Sequence, residues 1–149
     1  MSLLQDAMDA FREELQAVLL RPDPPRQRLR AVWDVLTRMG MKRPESHRVF
    51  PLLHAQGIQG WVSAAVLRDL NRAAGRAFQV CSTVLEEGIK NGVFRPHDTR
   101  AMADLIWALF VGTVQLHAAR ANLGLPTRAL QTVFEEAWEA LETGLLARP

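Results

Sequence analysis

The chain has 149 residues, 48% of them hydrophobic and 23% charged, which is enough apolar side chain for one self-sufficient core and excludes bulk disorder. Eighteen basic residues against 16 acidic ones leave a net charge of +2, too little for an arm that binds nucleic acid by charge alone. The single cysteine, Cys81, excludes a disulfide framework and a thiolate metal cage, and fits a reducing, cytoplasmic setting. Met1 to Asp6 lacks the basic start, apolar block and cleavage site of a secretory signal. The longest apolar run, Leu105 to Val114, is about half the roughly 20 residues that span a bilayer, so it reads as a buried core helix and no membrane partner is expected.

Apolar residues recur at steps of three and four throughout and nowhere alternate, so the spacing predicts an all-α chain of six helices in one domain over residues 1–149. The first, about 2 to 20, aligns Leu4, Ala7, Phe11, Leu15 and Val18 and ends at Arg21-Pro22-Asp23-Pro24-Pro25. The second, about 26 to 39, carries a narrow stripe of Leu29, Val32, Trp33 and Leu36, with Gly40 as its stop. A short third helix is expected around Ser46 to Ala55, interrupted near Pro51. The fourth and longest, about 61 to 91, buries Val66, Leu70, Ala73, Ala77, Cys81, Val84 and Gly88, and Asn91-Gly92 ends it. Asp98 is placed to cap the fifth helix, about 98 to 122, which is apolar nearly all round from Ala101 to Leu116 and should be central. Pro126 and Thr127 open the sixth, about 127 to 147, with Leu130, Phe134, Ala137, Leu141 and Leu145 on one face.

Chemistry that needs a motif finds none. His47 and His54 are seven residues apart, about 10.5 Å of helical rise, too far for one ion, so no metal site is expected. Neither a glycine-flanked serine, a phosphate-cradling loop nor a pair of framed carboxylates is present, and the chain is not read as an enzyme or as needing a cofactor. Arg68, Arg72 and Arg76 form a row at four-residue steps, either an anion contact or a solvated face paired with acids such as Glu86.

What remains is bulky and apolar. Trp33, Trp61, Phe78, Trp107 and Phe110, with Cys81 on the same stripe as Phe78, have the makeup of a concave site for a small apolar or aromatic molecule, and Thr113 and His117 are its expected polar contacts. The same residues could simply be core, and for any one of them core packing is the better reading. Ala108 and Gly112 leave a low strip on the fifth helix where a neighbouring helix can approach. Together with Phe134, Trp138 and Leu141 they define an expected homodimer seam.

Leu85-Glu86-Glu87-Gly88-Ile89, then Gly92, Phe94-Arg95 and Asp98, running into the apolar helix Ala103 to Leu116, resembles the effector-binding domain of tetracycline-repressor (TetR) family transcriptional regulators. Ser2-Leu3-Leu4 with Ala7 and Phe11 resembles the segment that follows their DNA-binding head, and Gly144-Leu145-Leu146 their final helix. The resemblance covers nearly the whole chain and implies a ligand pocket within the first five helices and a homodimer through the last two. It also implies a helix-turn-helix head, but this chain begins where that head ends. The expectation is therefore a regulatory domain, free-standing or shorn of its head, with no direct DNA binding of its own. A ligand-independent helical interaction protein, pairing with itself or with full-length relatives, is the alternative.

Overall fold

The computed structural model describes residues 3–42 and 63–148. Five helices run through them, α1 (Leu3–Leu20), α2 (Pro25–Lys42), α3 (Ala64–Lys90), α4 (Thr99–Asn122) and α5 (Leu130–Leu145), and the described residues form no strand beyond an isolated bridge. The short helix expected near Ser46 to Ala55 lies outside the described residues. Asp98 accepts from the Arg100 and Ala101 amides at the head of α4, as the sequence suggests; Ser63, not singled out there, accepts from the Val66 amide at the head of α3, and α5 begins at Leu130 rather than at Thr127. Proline opens α2, where a missing N–H costs nothing.

The central helix is α2, not α4 as the sequence predicts. It packs against all four other helices. Leu29, Ala31, Val32, Trp33, Val35 and Leu36 are all buried, well beyond the narrow stripe expected. Its polar residues concealed this. Arg26 pairs with Glu142 and Arg30 with Glu135 of α5, at 2.6 and 2.5 Å; Arg38 pairs with Glu14 of α1 at 3.1 Å; buried Arg28 pairs with Glu87 of α3. Arginines that read as a polar face are tie lines to three neighbours, and the Arg30 guanidinium also lies over the Trp138 ring at 5.4 Å. The exposed pairs are each worth about 0 to 1 kcal/mol.

Gly40 does not end α2, which runs through it to Lys42. It is buried where α2 crosses α4, and a Cβ there would stand 2.9 Å from Cε2 of Phe110, so glycine is what admits that ring. Gly88 does the same for Phe94, whose Cδ2 would lie 2.0 Å from an added Cβ. Gly92 takes φ +73° to turn the chain, and the Val93 and Phe94 amides donate back to the Gly88 carbonyl. The turn then captures the end of α5. The Arg95 amide donates to the Leu145 carbonyl, the Ala147 amide to the Val93 carbonyl, and Arg95 Nε to the Gly144 carbonyl at 2.5 Å.

Candidate functional site

The aromatic residues converge, but into a ladder rather than around a pocket. Trp138 lies 6.3 Å from Trp33, Trp33 meets Phe134 edge-on at 6.1 Å, and Phe134 stacks on Phe110 at 5.8 Å. Trp107 follows at 5.7 Å and Phe78 at 6.1 Å beyond it. Rings from α5, α2, α4 and α3 thus follow one another through the core, in tilted, edge and one stacked contact. Trp33 Nε1 donates to the Phe134 carbonyl at 3.3 Å, which satisfies the buried indole and fixes the α2–α5 crossing.

Where the ladder reaches Phe78 and Trp107, a small cavity opens between α2, α3 and α4, walled also by Val32, Cys81 and Ile106. Its free volume is about 10 Å³, room for one water at most. Of the residues expected to wall a ligand site, Phe78, Cys81 and Trp107 line this cavity, whereas Trp33 and Phe110 stand outside its lining as rungs of the ladder. Trp61 lies outside the described residues. Cys81, 4% exposed, is a buried small hydrophobe whose thiol is pushed up to about 12 by burial, the opposite of an activated nucleophile. Among the described residues no group of three or more His, Cys, Asp or Glu side chains is arranged to hold a metal ion.

Thr113 and His117 belong elsewhere. Trp107 and Thr113 are six residues apart, about 120° around the helix, and Thr113 emerges on the outer side of α4. There, with His117, it borders a groove of about 650 Å³ between the C-terminal half of α4 and the segment leading into α5. Ala108, Gly112, Leu116 and Val133 supply its apolar wall; Arg120 and Arg128 stand at its edge. The Thr113 hydroxyl donates back to the Leu109 carbonyl at 2.6 Å, leaving its oxygen free to accept. Arg128 forms a two-pronged pair with Glu136, which holds that carboxyl below its usual range.

The groove is part of a wider uncovered face. Leu105 is 59% exposed and Leu116 57%, with Ala108 and Gly112 exposed between them, and Leu123 and Leu125 extend the surface. A Cβ on Gly112 would meet nothing within 4 Å. The small-residue strip thus lies open on the surface, as a seam requires. Phe134 and Trp138 do not: at 2% and 7% exposed, they are rungs of the chain's own ladder, and Leu141 is half-buried against the core. On α5, Val133 lines the groove beside this face, and Ala140 and Gly144 are exposed small residues one turn apart. By length and composition α4 is long and apolar enough to cross a membrane, and only 33% of its most apolar stretch is buried here.

The arginine row of α3 is partly engaged. Arg76 donates to Gln16 of α1 from Nε at 3.1 Å and from Nη2 at 2.5 Å, and to Gln79 from Nη1. Its neutral partners differ from the acids expected.

Neither a family model nor a curated protein matches the chain. Its fold is similar to that of a protein with unknown function from Rhodococcus sp. RHA1, with a TM-score of 0.68 and 19% sequence identity, over 95% of this chain and 70% of that one. At that identity the likeness is one of fold, and it establishes the helical arrangement of this chain as one that a solved structure shares.

Proposed function

We propose that this chain is the effector-binding and dimerisation part of a TetR-like transcriptional regulator in the cytoplasm, a six-helix domain counting the segment around Ser46 to Ala55. Dimerisation is the half of that role its geometry supports best. The observation that carries it is the open strip Leu105, Ala108, Gly112 and Leu116 on a helix whose composition suits burial on every side. A twofold pairing of α4 and α5 with their counterparts covers that strip, and its small residues Ala108, Gly112, Ala140 and Gly144 let backbones approach closely. The core contacts of α4 with α2, α3 and α5 favour this covering over a bilayer, since a spanning helix would have to leave them.

Leu105→Arg places an unpaired charge in the seam and should raise the dissociation constant about a hundredfold or more. Light scattering reads it directly, with Arg72→Glu on α3 as a control outside the strip. Equal self-association by Leu105→Arg and the unmodified chain would remove α4 from the interface.

A second reading, ligand-independent pairing with itself or with full-length relatives, is favoured by the 10 Å³ left beside Phe78, Cys81 and Trp107. An effector held there must part the ladder, so that its binding selects another packing of the helices. Mass spectrometry of an organic extract of the purified protein separates the two. A stoichiometric apolar molecule supports sensing, and its absence supports pairing alone.

A further inference from the structure

The groove on the outer side of α4 has a chemistry that the self-association reading leaves unused. At about 650 Å³ it lies within the size range of small-molecule sites, and it is concave rather than a bare helix face. Its walls are apolar at Ala108, Gly112 and Leu116, and its polar edge is one-sided: Arg120, His117 and Arg128 line it, and no carboxylate does. Arg128 is neutralised by Glu136, but Arg120 makes no ion pair with any described residue. The amino end of α5 adjoins the same edge, and its N-cap residue Ala129 makes no side-chain cap bond. Its first-turn N–H groups therefore add positive potential beside Arg128.

From this complementarity we infer that the groove binds an amphiphilic carboxylate, its chain along Ala108, Gly112 and Leu116 and its head on Arg120. Thr113 and His117 supply secondary hydrogen bonds. Because the chain of such a molecule lies on the strip a second copy needs, the ligand and the second copy exclude each other, and occupancy favours the monomer. Binding stands apart from the dimer reading; only this competition rests on it.

Decanoate, below its micellar range, is the probe, followed by isothermal titration calorimetry with decanol as its uncharged counterpart. Saturable binding of one decanoate per chain is expected, weakened about tenfold in Arg120→Ala and about tenfold for decanol, as loss of a partly exposed charge-assisted bond implies. Gly112→Trp, whose side chain enters open space, should abolish it while leaving the far-ultraviolet circular dichroism unchanged. Leu105→Arg, outside the groove lining, should keep one site per chain and, with the competing second copy removed, bind decanoate more tightly than a self-associated unmodified chain or equally to a monomeric one. No saturable binding, or an affinity indifferent to both Arg120→Ala and Gly112→Trp, overturns the site. Binding that leaves a self-associated chain undissociated overturns the competition. A monomeric chain that binds decanoate through Arg120 upholds the site and refutes the dimer.

Discussion

Gly88→Ala should destabilise the protein, although alanine is the better helix former and Gly88 lies near the end of a 27-residue helix. The new Cβ would lie 2.0 Å from Cδ2, 2.3 Å from Cε2 and 3.0 Å from Cγ of Phe94. Because the conflict reaches Cγ, next to the backbone, a small rotation of the ring does not relieve it, and Phe94 must leave a site where it is 2% exposed. Losing a buried phenylalanine costs about 3 to 5 kcal/mol. The helix-propensity gain of about 1 kcal/mol offsets part of this, for a net loss of about 2 to 4 kcal/mol. At fixed protein concentration that lowers the melting temperature by roughly 6 to 12 °C, read by circular dichroism at 222 nm. Phe94→Ala alone should cost about 3 to 5 kcal/mol, and in that background Gly88→Ala should become stabilising by up to about 1 kcal/mol, because nothing remains to clash. The change of sign is the test. If Gly88→Ala has the same effect in both backgrounds, the contact is not what the glycine serves.

Cys81, buried with its thiol pushed up to about 12, should resist alkylation by iodoacetamide at pH 8 and react at the rate of an ordinary thiol once urea unfolds the chain. Phe110→Ala, which removes the ring at the centre of the ladder, should cost about 3 to 5 kcal/mol in urea denaturation, and Leu116→Ala on the open face less than about 1 kcal/mol in the monomeric Leu105→Arg background. Glu136 has a lowered pKa through its bond with Arg128, so its contribution to stability is present above its unfolded value and lost as pH falls through the folded one; a carboxyl NMR titration should show its midpoint rising in Arg128→Met. The chain should not retard duplex DNA at about 150 mM salt. Even if all three arginines of the α3 row met phosphate the salt slope would be only about −2.7, and Arg76 is held by Gln16 and Gln79.

Much of this architecture is legible in the sequence because helical periodicity and capping are local. Asp98 caps where its spacing says, and Phe11, Leu15 and Val18 bury as one stripe. The rank of the helices is not local. Arginine in α2 reads as solvent-facing until its partners on α1, α3 and α5 are known, and an apolar helix such as α4 reads as central until its neighbours are counted. Gly40 illustrates the same gap, since a glycine late in a helix signals a stop and only the approach of Phe110 from α4 shows that it is a packing device. The motif that carries the family resemblance, Gly88, Gly92, Phe94 and Arg95, is accounted for by the capture of the α5 terminus and marks the fold, not the chemistry. For the site, the aromatic set was legible but its use was not, because a ladder and a pocket wall require the same residues. The helical wheel alone separates Trp107 from Thr113, which points the polar contacts to the outer groove.

Sedimentation equilibrium of the unmodified chain from about 1 to 100 µM bears most directly on the claim that the open face of α4 and α5 is an interface. The mass should rise with concentration to twice the 16.7 kDa of one chain and no further, as a closed twofold pairing requires. A mass of 16.7 kDa across the whole range would contradict it, and so would growth beyond the dimer.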